Sequence, residues 1–184
     1  MMNKTKVNFG FISGLEGGPT CTGYVPDPMH SKSGVTIATG FDLGQRSIDD
    51  LQKFLPQPLV QKLVKYCGLT QQLAVQALHD APLSISADEA HMIDLCVKSQ
   101  LLEQLQHRYN RDSALPFDQL KEQQQTVIAS VAFQYGNLAR RCPNFWRAAT
   151  QQNWQQMAIE LRDFGDRYHS RRNREANYLD MAEI

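Results

Sequence analysis

A single glutamate, Glu16, ends the short apolar repeat of "NFGFISGLEGG" and is followed at once by two glycines. Phe9, Ile12 and Leu15 recur at three-residue steps, the spacing of one helix face, and Gly17 and Gly18 are expected to stop that helix. Glu16 would then sit at a helix C-terminus, whose partial negative charge disfavours an ionised carboxyl and suits a proton donor. A solvated glutamate beside a glycine stop fits the same residues. Downstream, a Gly-, Pro- and Thr-rich stretch carries Tyr24, Asp27, Thr36 and Asp42. An acid that keeps its proton, opposed by a second carboxylate, is the minimum equipment for glycoside hydrolysis. Read locally, Asp27 between two prolines is a turn former and Thr36 a strand residue.

The whole chain must position these groups. Its 184 residues suffice for one well-cored domain with two lobes, and 42% hydrophobic and 21% charged residues are globular values. No apolar run is long enough to span a bilayer, and the N-terminal stretch lacks the apolar core of a signal peptide. Nineteen basic residues balance nineteen acidic ones, so no global charge draws the chain to nucleic acid. The four cysteines, Cys21, Cys67, Cys96 and Cys142, form no Cys-x-x-Cys pair and have no histidine pairing of zinc type. They are expected to be buried thiols, with disulfides open in three connectivities should the protein meet an oxidising compartment, and neither metal nor cofactor is expected. His79, His91 and His107 are read as surface or packing residues.

Residues 17–46 read as a hairpin or meander, with Val35, Thr36, Ile37 and Thr39 bounded by glycines. Everything after that reads as helix. Ser47 with Asp50 forms one capping box, Thr70 caps a further segment, and Ser86 with Glu89 opens the longest helix candidate. "TVIASVAF" is apolar on nearly all sides, as a buried helix would be, and its helix ends at Gly136. Three short helices follow, around "NFWRAATQQ", from Asn153, and from Ser170. The expected fold is α+β and mainly helical: a single domain over 1–184, with a smaller lobe over about 1–85, a linking helix over about 86–110 and a helical lobe over 111–184.

"LEGG", "GYVP" and "SGVTIATGFDLGQ" resemble the catalytic lobe of phage T4-type lysozymes, most closely the pesticin-type muramidase toxin branch. "SADEAHMIDLCV" resembles the family's linking helix, "VAFQYGN" its Phe-Gln-x-Gly helix end, and "FWRAATQQNWQQMAIEL" and "SRRNREANYL" its last helices. The resemblance runs through essentially the whole chain. It implies a two-lobed lysozyme-like fold and hydrolysis of the β-1,4 bond between N-acetylmuramic acid and N-acetylglucosamine in peptidoglycan.

Carried onto this sequence, the resemblance makes Glu16 the general acid and gives Thr36 a part in holding the attacking water. In the pesticin-like branch the second carboxylate follows the threonine by six residues, which is Asp42; in the phage branch it precedes it, nearer Asp27. The length of "TGFDLGQ" favours Asp42. Phage-type enzymes invert, which calls for carboxyl groups about 6.5–9.5 Å apart with a water between them. Tyr24 would stack on a sugar in a cleft between lobes, and Gln134 would hydrogen-bond across it. Five arginines lie between Arg162 and Arg174. In the family an arginine of the last helix reaches the catalytic glutamate, which here points to Arg171 or Arg174, and Glu175 four residues after Arg171 would fix its direction by an ion pair. The implied protein is a monomeric antibacterial toxin, made in the cytoplasm without a signal peptide. A secretion machine would carry it to the periplasm of a target cell, or a phage lysis system would release it, and a cognate immunity protein would plug its cleft. The competing readings are a silent glycan- or partner-binding module, a phage endolysin and a lytic transglycosylase. A nucleic-acid-binding protein using the terminal arginines is disfavoured by the neutral charge.

Overall fold

Two glycines ten residues apart, Gly34 and Gly44, pass so close that a Cβ on Gly34 would stand 2.3 Å from the Leu69 carbonyl oxygen and 2.4 Å from the Gly44 Cα. This contact closes one of two contiguous clusters in the computed structural model, which describes residues 5–183. Among the described residues the elements are α1 (Phe9–Ser13), β1 (Thr20–Tyr24), β2 (Thr36–Ala38), β3 (Phe41–Asp42), α2 (Ile48–Gln52), α3 (Gln57–Leu63) and α4 (Gln71–Asp80). There follow α5 (Ala87–Asp112), α6 (Glu122–Tyr135), α7 (Leu138–Arg141), α8 (Pro143–Thr150), α9 (Trp154–Arg162) and α10 (His169–Asp180). The fold is α+β, mainly helical, with one small sheet.

The chain divides into two units, residues 17–98 and residues 5–16 with 99–183. The β-bearing unit is an antiparallel meander in the order β1-β2-β3, with Thr36 opposite Asp42 and Ile37 opposite Phe41. Val35, Ile37, Phe41 and Leu43 join Leu51, Leu59, Leu63 and Tyr66 in its core. The three-residue turn after Ile37 uses positive φ at Ala38 and Gly40. Asp94 of α5 clamps it by accepting from the Thr39 N–H (3.1 Å) and hydroxyl (2.6 Å). Both capping boxes form: Ser47 with Asp50, and Ser86 with Glu89 by reciprocal bonds of 2.9 and 3.1 Å. Thr70 sits at the cap position of α4 without a side-chain hydrogen bond.

The second unit is built on α6, which is buried at every position from Gln124 to Ala132. Two of its buried polar residues explain a departure from the expected lobes. Gln125 Oε1 accepts from the Lys6 N–H (2.9 Å) and Thr126 Oγ1 from the Asn8 N–H (2.9 Å). Phe11 stacks on Tyr178 at 4.1 Å and Ile12 is fully buried in this core. Residues 5–16 therefore belong with the C-terminal half and not with a lobe over 1–85, because unmatched polar groups on a buried helix would be costly and the N-terminal segment satisfies them. The division falls within α5, between residues 98 and 99: Ala90 and Ile93 pack in one core, Leu102, Leu105 and Tyr109 in the other. The short helix α7 was not expected from the sequence. The four cysteines are free thiols, with Cys142 buried and the other three half-buried. Among the described residues no helix is long and apolar enough to cross a membrane.

The glycine contact makes a prediction. Gly34→Ala forces backbone apart where no flexible side chain can yield, so it should lower stability by at least about 1–3 kcal/mol. Urea denaturation checks this, and an unchanged midpoint would refute the close approach.

Candidate functional site

Glu16 stands on a turn rather than on a helix end. α1 stops at Ser13 with Gly14 as its cap, and the chain then continues through N–H bonds from Leu15 to the Ile12 oxygen (2.9 Å) and from Glu16 to the Ser13 oxygen (3.1 Å). The expected run to Gly17 fails because Gly10 and Gly14 weaken an already short helix. Gly17 and Gly18, at φ of 76° and 89°, turn the chain away in conformations that favour glycine. The Glu16 side chain is 13% exposed, and Arg171 Nη2 lies 4.0 Å from its Oε1, an ion-pair distance longer than a hydrogen bond.

Arg171 comes from α10 and is held on several sides. Its Nε donates to Glu175 Oε1 (3.0 Å), one helical turn on, and its Nη2 donates to the Ser130 oxygen (3.2 Å) and hydroxyl (3.0 Å) on α6. The expected Arg171–Glu175 pair forms. Arg174 is exposed and donates to the Gly14 carbonyl oxygen (3.2 Å), bracing the turn that carries Glu16. Of the two candidate arginines, Arg171 is the one beside the acid.

The deepest cation is Arg172, which sequence reasoning passed over. Its side chain is 1% exposed, donates to Glu175 Oε2, to Asp166 Oδ2 (2.9 Å) and to Gln134 Oε1, and lies over the Phe164 ring at 4.8 Å. Burial pushes the Asp166 carboxyl up, but hydrogen bonds from Tyr135, Arg172 and the Tyr168 N–H outweigh it and hold the group below the usual carboxylate range. Burial, and then the bond to Asp166, push the Tyr135 phenol up to about 12. The available signal was positional: Arg172, Glu175, Ala176 and Leu179 share the buried stripe of α10 at helical spacing. Gln134, expected to hydrogen-bond across a cleft, gives its carboxamide oxygen to Arg172 in this cluster.

In the β-bearing unit Tyr24, Thr36 and Asp42 form one cross-strand row, Tyr24 opposite Thr36 and Thr36 opposite Asp42. Directly opposed residues of antiparallel strands share a face. Tyr24 is 42% exposed and Thr36 buried, its hydroxyl donating to the Gly34 oxygen (3.2 Å). Asp42 Oδ1 accepts from the N–H groups of Gly34 (3.0 Å) and Gly44 (2.8 Å), the same two glycines that touch. Asp27, at φ 42°, accepts from the His30 N–H (3.1 Å) and ring (2.9 Å) in an exposed turn. The structure thus groups Glu16 with Arg171 in one unit and Tyr24, Thr36 and Asp42 in the other, with Asp27 outside that row.

A small meander followed by helices around a buried central one, with a glutamate on the turn after the first helix, defines a fold of lysozyme type. Residues 6–155 match the family described as "Pesticin: Bacterial toxin homologue of phage lysozyme, C-term", and the chain belongs to that family. The matched span includes Glu16, Tyr24, Thr36, Asp42 and Gln134 but ends before α10, so Arg171 and Arg174 lie outside it. No curated protein matches the chain.

Removing one member of a buried charge cluster leaves its partners uncompensated. Arg172→Met should therefore cost about 3–5 kcal/mol, while Arg174→Met, on the exposed side of the same helix, should leave the unfolding midpoint nearly unchanged. Thermal and urea unfolding of the two variants check the contrast.

Proposed function

We propose that this protein is an inverting peptidoglycan muramidase. It cuts the β-1,4 bond between N-acetylmuramic acid and N-acetylglucosamine and acts as an antibacterial wall-degrading toxin. The observation that carries the proposal is Glu16 in a lysozyme-type family: a mostly buried carboxyl on a glycine-bounded turn, with the Arg171 guanidinium at ion-pair distance. Glu16 protonates the leaving glycosidic oxygen. Thr36 and Asp42, opposed in register on β2 and β3, hold and activate the water that attacks the other side of the sugar. Asp42 can do this with its second oxygen while Oδ1 keeps the glycine N–H groups. Tyr24, the exposed end of the same row, offers an aromatic face to a pyranose ring. The substrate is a peptidoglycan glycan strand, the protein acts as a monomer in the periplasm of a target cell, and an immunity protein that blocks the site protects the producer.

Purified protein incubated with sacculi should release muropeptides ending in reducing N-acetylmuramic acid by mass. Anhydro ends would make it a lytic transglycosylase, and no release would favour the silent binding module. Glu16→Gln removes only the transferable proton and should lower the rate by about 10²–10⁴-fold in a folded protein. Comparable activity in that variant would sink the acid assignment.

The base is tested by a pair of amides. Asp42→Asn keeps an oxygen for the Gly34 and Gly44 N–H groups but cannot take the water's proton, so it should lose most activity while keeping its fold. Asp27→Asn should lose little, since an amide serves the same turn. Proton NMR of the fresh reducing end should find the α-anomer first. An initial β-anomer would replace inversion with a covalent or substrate-assisted route.

A further inference from the structure

We propose that Glu175 is a positioning residue of this enzyme, setting the direction in which the Arg171 guanidinium is presented to Glu16; the proposal rests on the muramidase reading given above. Glu175 is fully buried, and both of its oxygens are used. Oε1 accepts from Arg171 Nε at 3.0 Å and from the Ser130 hydroxyl at 2.5 Å, and Oε2 accepts from Arg172 Nη1. A single cation would neutralise a buried carboxylate and still leave acceptor sites on its oxygens unmatched. This one receives three donors from two helices, and together they fix the plane of the carboxyl group.

The consequence falls on Arg171. Guanidinium is a rigid planar fork, so anchoring Nε on Glu175 and Nη2 on Ser130 leaves the plane no rotation about its long stem. The Nη2 so placed is the atom 4.0 Å from Glu16 Oε1. Arg172 completes the arrangement from behind. It holds Glu175 from the far side and is itself tethered by Asp166 and Gln134, so that the cluster of Arg171, Arg172, Glu175 and Asp166 pairs two positive charges with two negative ones. Glu175 is bonded to Arg171, Arg172 and Ser130, and its effect on the reaction passes through Arg171.

A double-mutant cycle separates this role from a merely structural one. Glu175→Gln, Arg171→Lys and the combination are compared in the full chain on soluble peptidoglycan glycan oligomers. In parallel, nitrogen-15 relaxation of the Arg171 Nε–H reports how rigidly the guanidinium is held. Glu175→Gln should lower kcat by about tenfold with KM within about twofold, and should loosen the Arg171 side chain. In the Arg171→Lys background the same change should cost almost nothing more, because the route through Arg171 is already gone. Equal costs in both backgrounds, or an Arg171 that stays rigid in Glu175→Gln, would overturn the proposal. Should Glu175→Gln fail to fold, Glu175→Asp keeps the charge but withdraws it by one methylene, and the same two readouts apply. If the wild type does not hydrolyse glycan, the muramidase reading fails by itself, and the relaxation measurement then decides alone whether Glu175 holds Arg171.

Discussion

A carboxylate with no exposure to water must find its partners inside the protein, and Glu175 sets that demand for the whole C-terminal half. Its charge is met by two consecutive arginines of its own helix and by a serine on the buried helix α6. Each of those partners brings a further requirement: Arg172 needs Asp166 and Gln134, and Asp166 in turn takes the Tyr135 hydroxyl at 2.6 Å. Such a cluster adds little net stability compared with a well-packed apolar core, yet removing any one member is costly. What it contributes is direction. Helix α10 is fixed against α6 in one rotational setting, and in that setting Arg171 faces Glu16.

The β-bearing unit solves a similar problem without buried charge. There the backbone itself comes into contact at Gly34 and Gly44, and a single oxygen of Asp42 ties both N–H groups. Asp42 is thereby a structural residue and a candidate base at once. Because the glycine N–H groups occupy one oxygen and the proposed base role would use the other, an amide replacement can separate them. Thr36, buried and opposite it in register, takes its place from the strand pairing and from its hydroxyl bond to the Gly34 oxygen, while Asp94 clamps the turn that joins the two strands.

Much of this was legible from residue spacing. The capping boxes, the buried character of α6 and the meander over the Gly-rich stretch follow from local rules that tertiary context left intact. So does the pairing of Arg171 with Glu175. The departures have two kinds of cause. The end of α1 is local, since Gly10 and Gly14 weaken a short helix, and the depth of Arg172 is written in the stripe of its own helix, whereas the allegiance of residues 5–16 is set by groups on α6, which no window of neighbouring residues contains. Gln134, expected to hydrogen-bond across a cleft, has a partner that no local window contains. Arg172, thirty-eight residues on, claims its oxygen.

The docking of the N-terminal segment on the far end of the chain has a bearing on the order in which the protein can be made. Residues 17–98 are contiguous and can close as soon as they emerge from the ribosome. Asn8, by contrast, waits for Tyr178, 170 positions later, and Glu16 waits for Arg171. Contacts of that sequence separation form late, since the entropy of closing so long a loop must be met first. A truncated or half-synthesised chain therefore carries its acidic residue without the arginine that faces it. The pairing of Glu16 with Arg171 is thus assembled only once α10 has been made.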